Sequence, residues 1–277
     1  MDEDQPQRAR VEIPNPVEQA KPPRAPSPPG QSLGDRVRNA PATFAICAIN
    51  VAVFLYVETR GDTTNVMDLV RFGALERSHV WAGEYWRFVT PMFLHIGWMH
   101  LLWNTYALVG WCAPVERALG RPRFVFAYLV TGMGATAMSL LCHDVTGAGA
   151  SGAAFGIVGV TLALRWRVLG SWAAFTADRW VRSTAVTIVI WTVLGFTAMR
   201  MDNFAHGGGL LTGLLMGALF VWTPKLGPAG RIAAWCGFAV FMLGLLGAAA
   251  HRWPGETSIW EKYEDAVRGA DPVSPDR

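Results

Sequence analysis

Seven apolar blocks, at about 41–57, 96–115, 124–142, 145–164, 183–199, 204–222 and 232–250, constrain this chain more than anything else in it. Each comes close to the roughly 20 residues that carry a helix across a bilayer. A segment in lipid has no water to satisfy its backbone, and a helix does so within itself. The short alternating segments of a β-barrel are missing. The expected class is an all-α polytopic membrane protein of seven spans. With 52% hydrophobic and 16% charged residues, an ordinary soluble domain is excluded. The first block follows about forty polar residues and precedes six more blocks, so it reads as a span rather than a cleaved leader.

Residues 1–40 include "PNPVEQAKPPRAPSPPG" and show no apolar periodicity, which predicts a disordered Pro-rich tail. Residues 251–277 form a second polar tail, in which "SIWEKYEDAVRGA" suits a short surface helix. Cys47, Cys112, Cys142 and Cys236 lie in or at the ends of apolar blocks without CxxC spacing. They read as small core residues rather than disulfides or metal ligands. Basic residues recur in alternate connections: Arg36 and Arg38; Arg117, Arg121 and Arg123; Arg165, Arg167, Arg179 and Arg182; Lys225 and Arg231. By the positive-inside rule the N-terminus is cytoplasmic and the C-terminus outside. The connection 58–95 ends in the aromatic-rich "WAGEYWRFVTPMFLHIGW" and predicts a folded loop lying partly in the outer leaflet.

Polar groups inside spans are expensive and point to function. His95, His100 and Asn104 open the second span, Ser151 lies in the fourth and His206 opens the sixth. These three spans run in the same direction, so all five residues fall in the outer half of the membrane. His100 and Asn104 are four apart and share a helix face, whereas His95 and His100 diverge by about 140°. His206, Gly209, Gly213 and Gly217 form one stripe, and Gly152, Gly156 and Gly159 lie beside Ser151. Two Gly-faced helices approach closely and would bring a serine and an imidazole within hydrogen-bond reach, as an activated nucleophile requires. Each feature has a plainer explanation: a capping serine, a structural histidine, a packing glycine. Their coincidence at one depth favours chemistry.

The stretches "EYWRFVTPMFLHIGWMHLLWN", "GASGAAFG" and "DNFAHGGGLLTG" resemble the rhomboid family of intramembrane serine proteases. The matching elements are the Trp86–Arg87 pair, the His95, His100, Asn104 array, the G-x-S-G signature of Gly149, Ser151 and Gly152, and His206 with Gly209 and Gly213. The resemblance covers about 41–222, six spans in the family's order. It implies a six-helix rhomboid core, with residues 223–250 as an extra C-terminal transmembrane helix. It further implies Ser151 as nucleophile and His206 as general base in a dyad. His100, Asn104 and the Ser151 amide would hold the oxyanion. His95 would brace the 58–95 loop, Arg87 would pin it, and Phe155 would pack on the His206 ring. Asp202 reads as a helix cap rather than a third catalytic member. Span five lacks a Gly stripe and reads as a movable gate, with Trp103 and Trp191 facing lipid. Gly207 stands where the commonest pattern has a larger apolar residue.

The expected function is an intramembrane endopeptidase acting on transmembrane proteins in a lipid bilayer, in a bacterial plasma membrane. No cofactor, metal or nucleic-acid partner is expected, and the oligomeric state is open. The alternative is a catalytically silent relative that binds membrane-protein clients. A transporter would need polar groups along a whole pathway. A zinc protease would need HExxH, and the hydrolase motif G-x-S-x-G fails at Ala153.

Overall fold

The computed structural model describes residues 32–142, 144–197, 201–252, 255–258, 260–262 and 264–265. In chain order its α-helices are α1 (Leu33–Asn39), α2 (Pro41–Arg60), α3 (Val66–Arg71), α4 (Arg77–Trp81), α5 (Gly97–Ala107), α6 (Ala113–Leu119), α7 (Arg121–Cys142), α8 (Ser151–Leu169), α9 (Trp172–Ala177), α10 (Arg179–Phe196), α11 (Asn203–Trp222) and α12 (Pro228–Ala250). The only sheet-like pairing among the described residues is an isolated antiparallel bridge between Leu75 and Gly147.

Among the described residues, five helices are long and apolar enough to cross a membrane: α2, α7, α8, α11 extended to Lys225, and α12. The expected second span takes another form, because α5 and α6 are joined by a π-helical turn at Leu108–Cys112. The composite therefore runs from Gly97 to Leu119, past the expected end at 115. The expected fifth span corresponds to α10, which starts at Arg179 because the Asp178 carboxylate accepts from the Val181 amide at 2.9 Å. The largest difference is at the fourth span. Helix begins at Ser151 rather than at 145, and the apolar-looking residues before it form an extended loop.

Order also starts earlier than the tail composition predicts. Ser32 caps α1 by accepting from the Asp35 amide at 3.2 Å; residues 1–31 lie outside the described residues. Helix α2 opens at Pro41 with no cap from its own neighbour Ala40. The buried Glu116 supplies one, accepting from the amides of Ala42 at 2.9 Å and Thr43 at 2.7 Å and from the Thr43 hydroxyl at 2.8 Å. A carboxylate there satisfies orphan donors and complements the positive end of the helix dipole.

The centre of the bundle is α8 packed on α11, with α7 against both. Glycine makes the approach possible. A Cβ added to Gly209 would lie 2.0 Å from the Gly152 carbonyl oxygen, and one on Gly213 1.9 Å from that of Gly156. No side chain fits, so backbone rests on backbone. Tyr128, Phe124, Leu108, Ile157, Met92 and Met216 fill the main core around this seam. Cys47 and Cys112 are buried as expected, but Cys142 and Cys236 are exposed. The first of these ends α7, and the second lies on α12, which is covered on little of its surface.

Candidate active site

Ser151 is the first residue of α8, and the loop before it is held by the 58–95 connection. Leu75 and Gly147 exchange backbone hydrogen bonds at 2.8 and 2.9 Å, and the Gly149 amide donates to the Pro91 carbonyl at 2.8 Å. Gly149 has φ +131°, a conformation that side-chain-bearing residues rarely adopt. Space requires glycine as well: an added Cβ would meet His100 Cε1 at 2.8 Å and Nε2 at 2.9 Å. The imidazole edge of His100 therefore lies against Gly149, whose missing Cβ would be 3.7 Å from Ser151 Oγ.

The anchors of the 58–95 loop are equally local. Arg87 is buried and donates to the carbonyls of Val70 at 2.8 Å and Ala74 at 2.7 Å and to Glu84 at 2.7 Å. Its guanidinium lies over the Trp86 ring, 4.6 Å from the centroid. Glu76, also buried, accepts from the Ser78 hydroxyl, from the His79 amide at 3.0 Å and from His79 Nδ1 at 2.8 Å. Burial alone would raise this carboxyl, but the hydrogen bonds from Ser78 and His79 hold it below its ordinary value.

His206 reaches Ser151 from α11. Asp202 caps this helix, accepting from the Ala205 amide at 2.9 Å, and its other oxygen takes the hydroxyl of the buried Ser139. One turn on, His206 Nε2 lies 2.9 Å from Ser151 Oγ. Phe155 stacks on the imidazole with centroids 4.3 Å apart and planes 8° from parallel. His206 Nδ1 is buried without a hydrogen-bond partner among the described residues, so none of the described carboxylates bonds to it.

His100 Nδ1 accepts from the Ile96 amide at 3.1 Å. That bond assigns the ring proton of neutral His100 to Nε2, the nitrogen facing Gly149. Asn104 Nδ2 donates to the His100 carbonyl at 2.9 Å, and its Oδ1 is buried without a hydrogen-bond partner among the described residues. The first amides of α8 have no side-chain cap from Ala150, so the positive helix end opens beside the Ser151 hydroxyl. His95 is buried with its ring 5.4 Å from that of His100, and neither nitrogen has a hydrogen-bond partner among the described residues.

The structure thus gathers Ser151, His206, Phe155, Gly149 and His100 around one point, with Asn104 attached through His100. Arg87 and Trp86 lie in the supporting loop. Leu75, Pro91, Ile96 and Ser139 also build the site, through backbone pairings and one hydroxyl bond that carry no sequence motif. Gly207 faces open space, with nothing within 4 Å of an added Cβ. Among the described residues no three His, Cys, Asp or Glu side chains cluster as metal ligands.

Comparison with known proteins identifies the family. A profile of the Rhomboid domain matches residues 82–223. The rhomboid protease GluP of Bacillus subtilis (strain 168) is 37% identical over 190 residues, covering 68% of this chain and 36% of GluP. RHOMBOID-like protein 5 of Arabidopsis thaliana is 31% identical over 167 residues, 59% of this chain and 53% of that protein. Rhomboid-like protease 1 of Toxoplasma gondii is 29% identical over 172 residues, 56% of this chain and 57% of its own. The chain thus spans between about a third and somewhat over half of the length of these curated relatives. With the Rhomboid domain over half its length and five helices of membrane-crossing length and apolarity, the chain is an integral membrane protein of the rhomboid family.

Proposed function

We propose that this protein is an intramembrane serine endopeptidase that cleaves transmembrane segments of membrane-protein substrates with a Ser151–His206 dyad. The observation that carries the reading is the 2.9 Å contact between His206 Nε2 and Ser151 Oγ. As the hydroxyl attacks the scissile carbonyl carbon, its proton passes to Nε2, and the C–N bond breaks as that proton goes to the leaving amine. Water then attacks the acyl-enzyme carbonyl, with His206 taking the water proton and returning it to Ser151.

The negative oxygen formed in each step faces the Ser151 amide, Nε2–H of His100 and the Asn104 carboxamide. One such donor in a water-poor site contributes on the order of 3 kcal/mol. His100 is ready for this role because the Ile96 amide occupies its Nδ1. Phe155 holds the second imidazole by stacking.

Substrate reaches the site by movement of α10. Its outward face carries exposed Val186, Val189, Ile190 and Val193, and Trp191 meets Trp103 of α5 edge-on with centroids 6.0 Å apart. In our reading the spans number seven, α5–α6 and α10 included, with the N-terminus cytoplasmic, the C-terminus outside and the site in the outer half of a bacterial plasma membrane.

The test is cleavage of a transmembrane reporter in liposomes by the wild type and by Ser151→Ala. Cleavage by the wild type alone is expected. Equal cleavage by both would remove Ser151 from the chemistry, and no cleavage by a folded wild type across several reporters would favour the client-binding relative.

A further inference from the structure

The outer loop that holds the Ser151 segment is itself held by the other end of the chain. Trp81, the last residue of α4, has two guanidiniums over its ring: Arg77 with Cζ 5.7 Å from the centroid, and Arg252 with Cζ 5.2 Å away. Arg252 follows α12 directly and is fixed twice more. It donates to the Glu256 carbonyl through Nε at 3.1 Å and through a terminal nitrogen at 2.9 Å, and it pairs with Glu261 at 2.9 Å.

Glu261 closes a reciprocal cap with Ser258. The Glu261 amide donates to the Ser258 hydroxyl at 3.0 Å, and the Ser258 amide donates to the Glu261 carboxylate at 2.9 Å. That motif starts a helical turn and buries Ser258 completely. From this turn the Trp260 ring meets the His79 ring of α4 with centroids 5.9 Å apart. Beneath them Ala249 of α12 shares one buried cluster with Leu75, Val80, Phe88 and Leu140.

Leu75 is the junction. Its side chain belongs to the cluster under the tail, and its backbone pairs with Gly147, four residues before Ser151. We propose that residues 249–252, 255–258 and 260–261 form a clasp on α4, in which Trp81 and Arg252 are positioning residues for proteolysis that keep the Ser151 loop in register through the Leu75–Gly147 pair. The proposal rests on Ser151 being the nucleophile. Without the clasp, α4 keeps Glu76 and Arg77 but loses the cover on its tryptophan. The Leu75–Gly147 bridge, which has no neighbouring strand to support it, then opens more often.

The test uses the full-length protein in liposomes, with Arg252→Ala, Trp81→Ala and Trp81→Phe. Arg252 is exposed at the end of α12, so its truncation leaves the bundle intact. Amide exchange is read in the Ser151→Ala background on peptides containing Leu75 and Gly147, with α8 peptides as the reference. Expected are faster exchange at both sites in Arg252→Ala and Trp81→Ala, and a roughly fivefold fall in kcat at constant KM with Ser151 present, the size of one cation–π contact. Trp81→Phe, which keeps an aromatic face, restores most of both. Unchanged exchange in Arg252→Ala and Trp81→Ala overturns the clasp, as does faster exchange at undiminished kcat. Undiminished cleavage by Ser151→Ala is a separate failure, that of the nucleophile, and removes the positioning role with it.

Discussion

Phe155 lies flat on the imidazole of His206, 4.3 Å between centroids, and is itself met edge-on by Trp111 at 5.7 Å. With His206 Nδ1 unpartnered among the described residues, this stack and the bond to Ser151 set the ring's orientation. An aromatic pair contributes about 0.5–1.5 kcal/mol beyond the area it buries. Phe155→Ala is therefore expected to lower kcat by about tenfold, with KM little changed. Undiminished turnover of a reporter would mean that the stack does not orient His206 for the proposed chemistry.

Three glycines within about two turns of α11 should respond differently to alanine. At Gly209 and Gly213 the new Cβ meets the carbonyl oxygens of Gly152 and Gly156 at 2.0 and 1.9 Å, and backbone cannot step aside without separating the helices. Overpacking of this kind costs about 1–3 kcal/mol, so both variants should melt earlier in detergent and lose most of their cleavage. Gly207→Ala meets nothing and replaces a poor helix former. It should be active and no less stable, by up to about 1 kcal/mol in its favour.

Asp202 is four residues from His206, yet its oxygens are committed to the Ala205 amide and the Ser139 hydroxyl. Asp202→Asn keeps a capping oxygen and should cleave within about threefold of the parent, whereas Asp202→Ala should lose about 1 kcal/mol of stability with the cap. Loss of a true third triad member lowers kcat by about 10⁴-fold. A fall of that size in Asp202→Asn would replace the dyad with a triad.

Acid should loosen the 58–95 loop through Glu76. Its carboxyl titrates below the ordinary 4.5 because hydrogen bonds from Ser78 and His79 outweigh burial. A carboxyl held low in the folded state stabilises fully above its unfolded value and loses that contribution as pH falls through the folded one. The melting temperature should drop as pH falls from about 4.5. Glu76→Gln should melt earlier at neutral pH and show a shallower acid limb. An acid limb as steep as the parent's would assign the loss to other carboxylates.

The residues that meet at the candidate site were legible because their spacing is helical. His100 and Asn104 fall four apart, and Gly209 and Gly213 fall on the same stripe as His206. Hydropathy placed α2, α7, α11 and α12 within a few residues. It misplaced the start of α8, because "VTGAGA" before Ser151 is as apolar as a helix, while Gly149 at φ +131° and the bond from its amide to Pro91 keep the loop extended. The π-turn at Leu108–Cys112 contains Gly110 and is followed by Pro114, which has no amide to donate to the Gly110 carbonyl, but neither residue changes the apolar count that hydropathy reads. The bonds of Leu75 to Gly147 and of Ile96 to His100 involve backbone groups, which every residue type possesses. The contact of Arg252 with Trp81 joins positions far apart in sequence and has no local pattern at all.

The seam between α8 and α11 has a mechanical consequence. Where carbonyl oxygens rest on glycine Cα atoms, two helices have almost no slack with which to slide or roll past one another. Thermal displacement of one carries the other with it, so the hydroxyl of Ser151 and the ring of His206, one mounted on each, move in common mode and their separation is conserved. Under the proposed function, an opening wide enough to admit a peptide is made elsewhere, by elements that share no such seam.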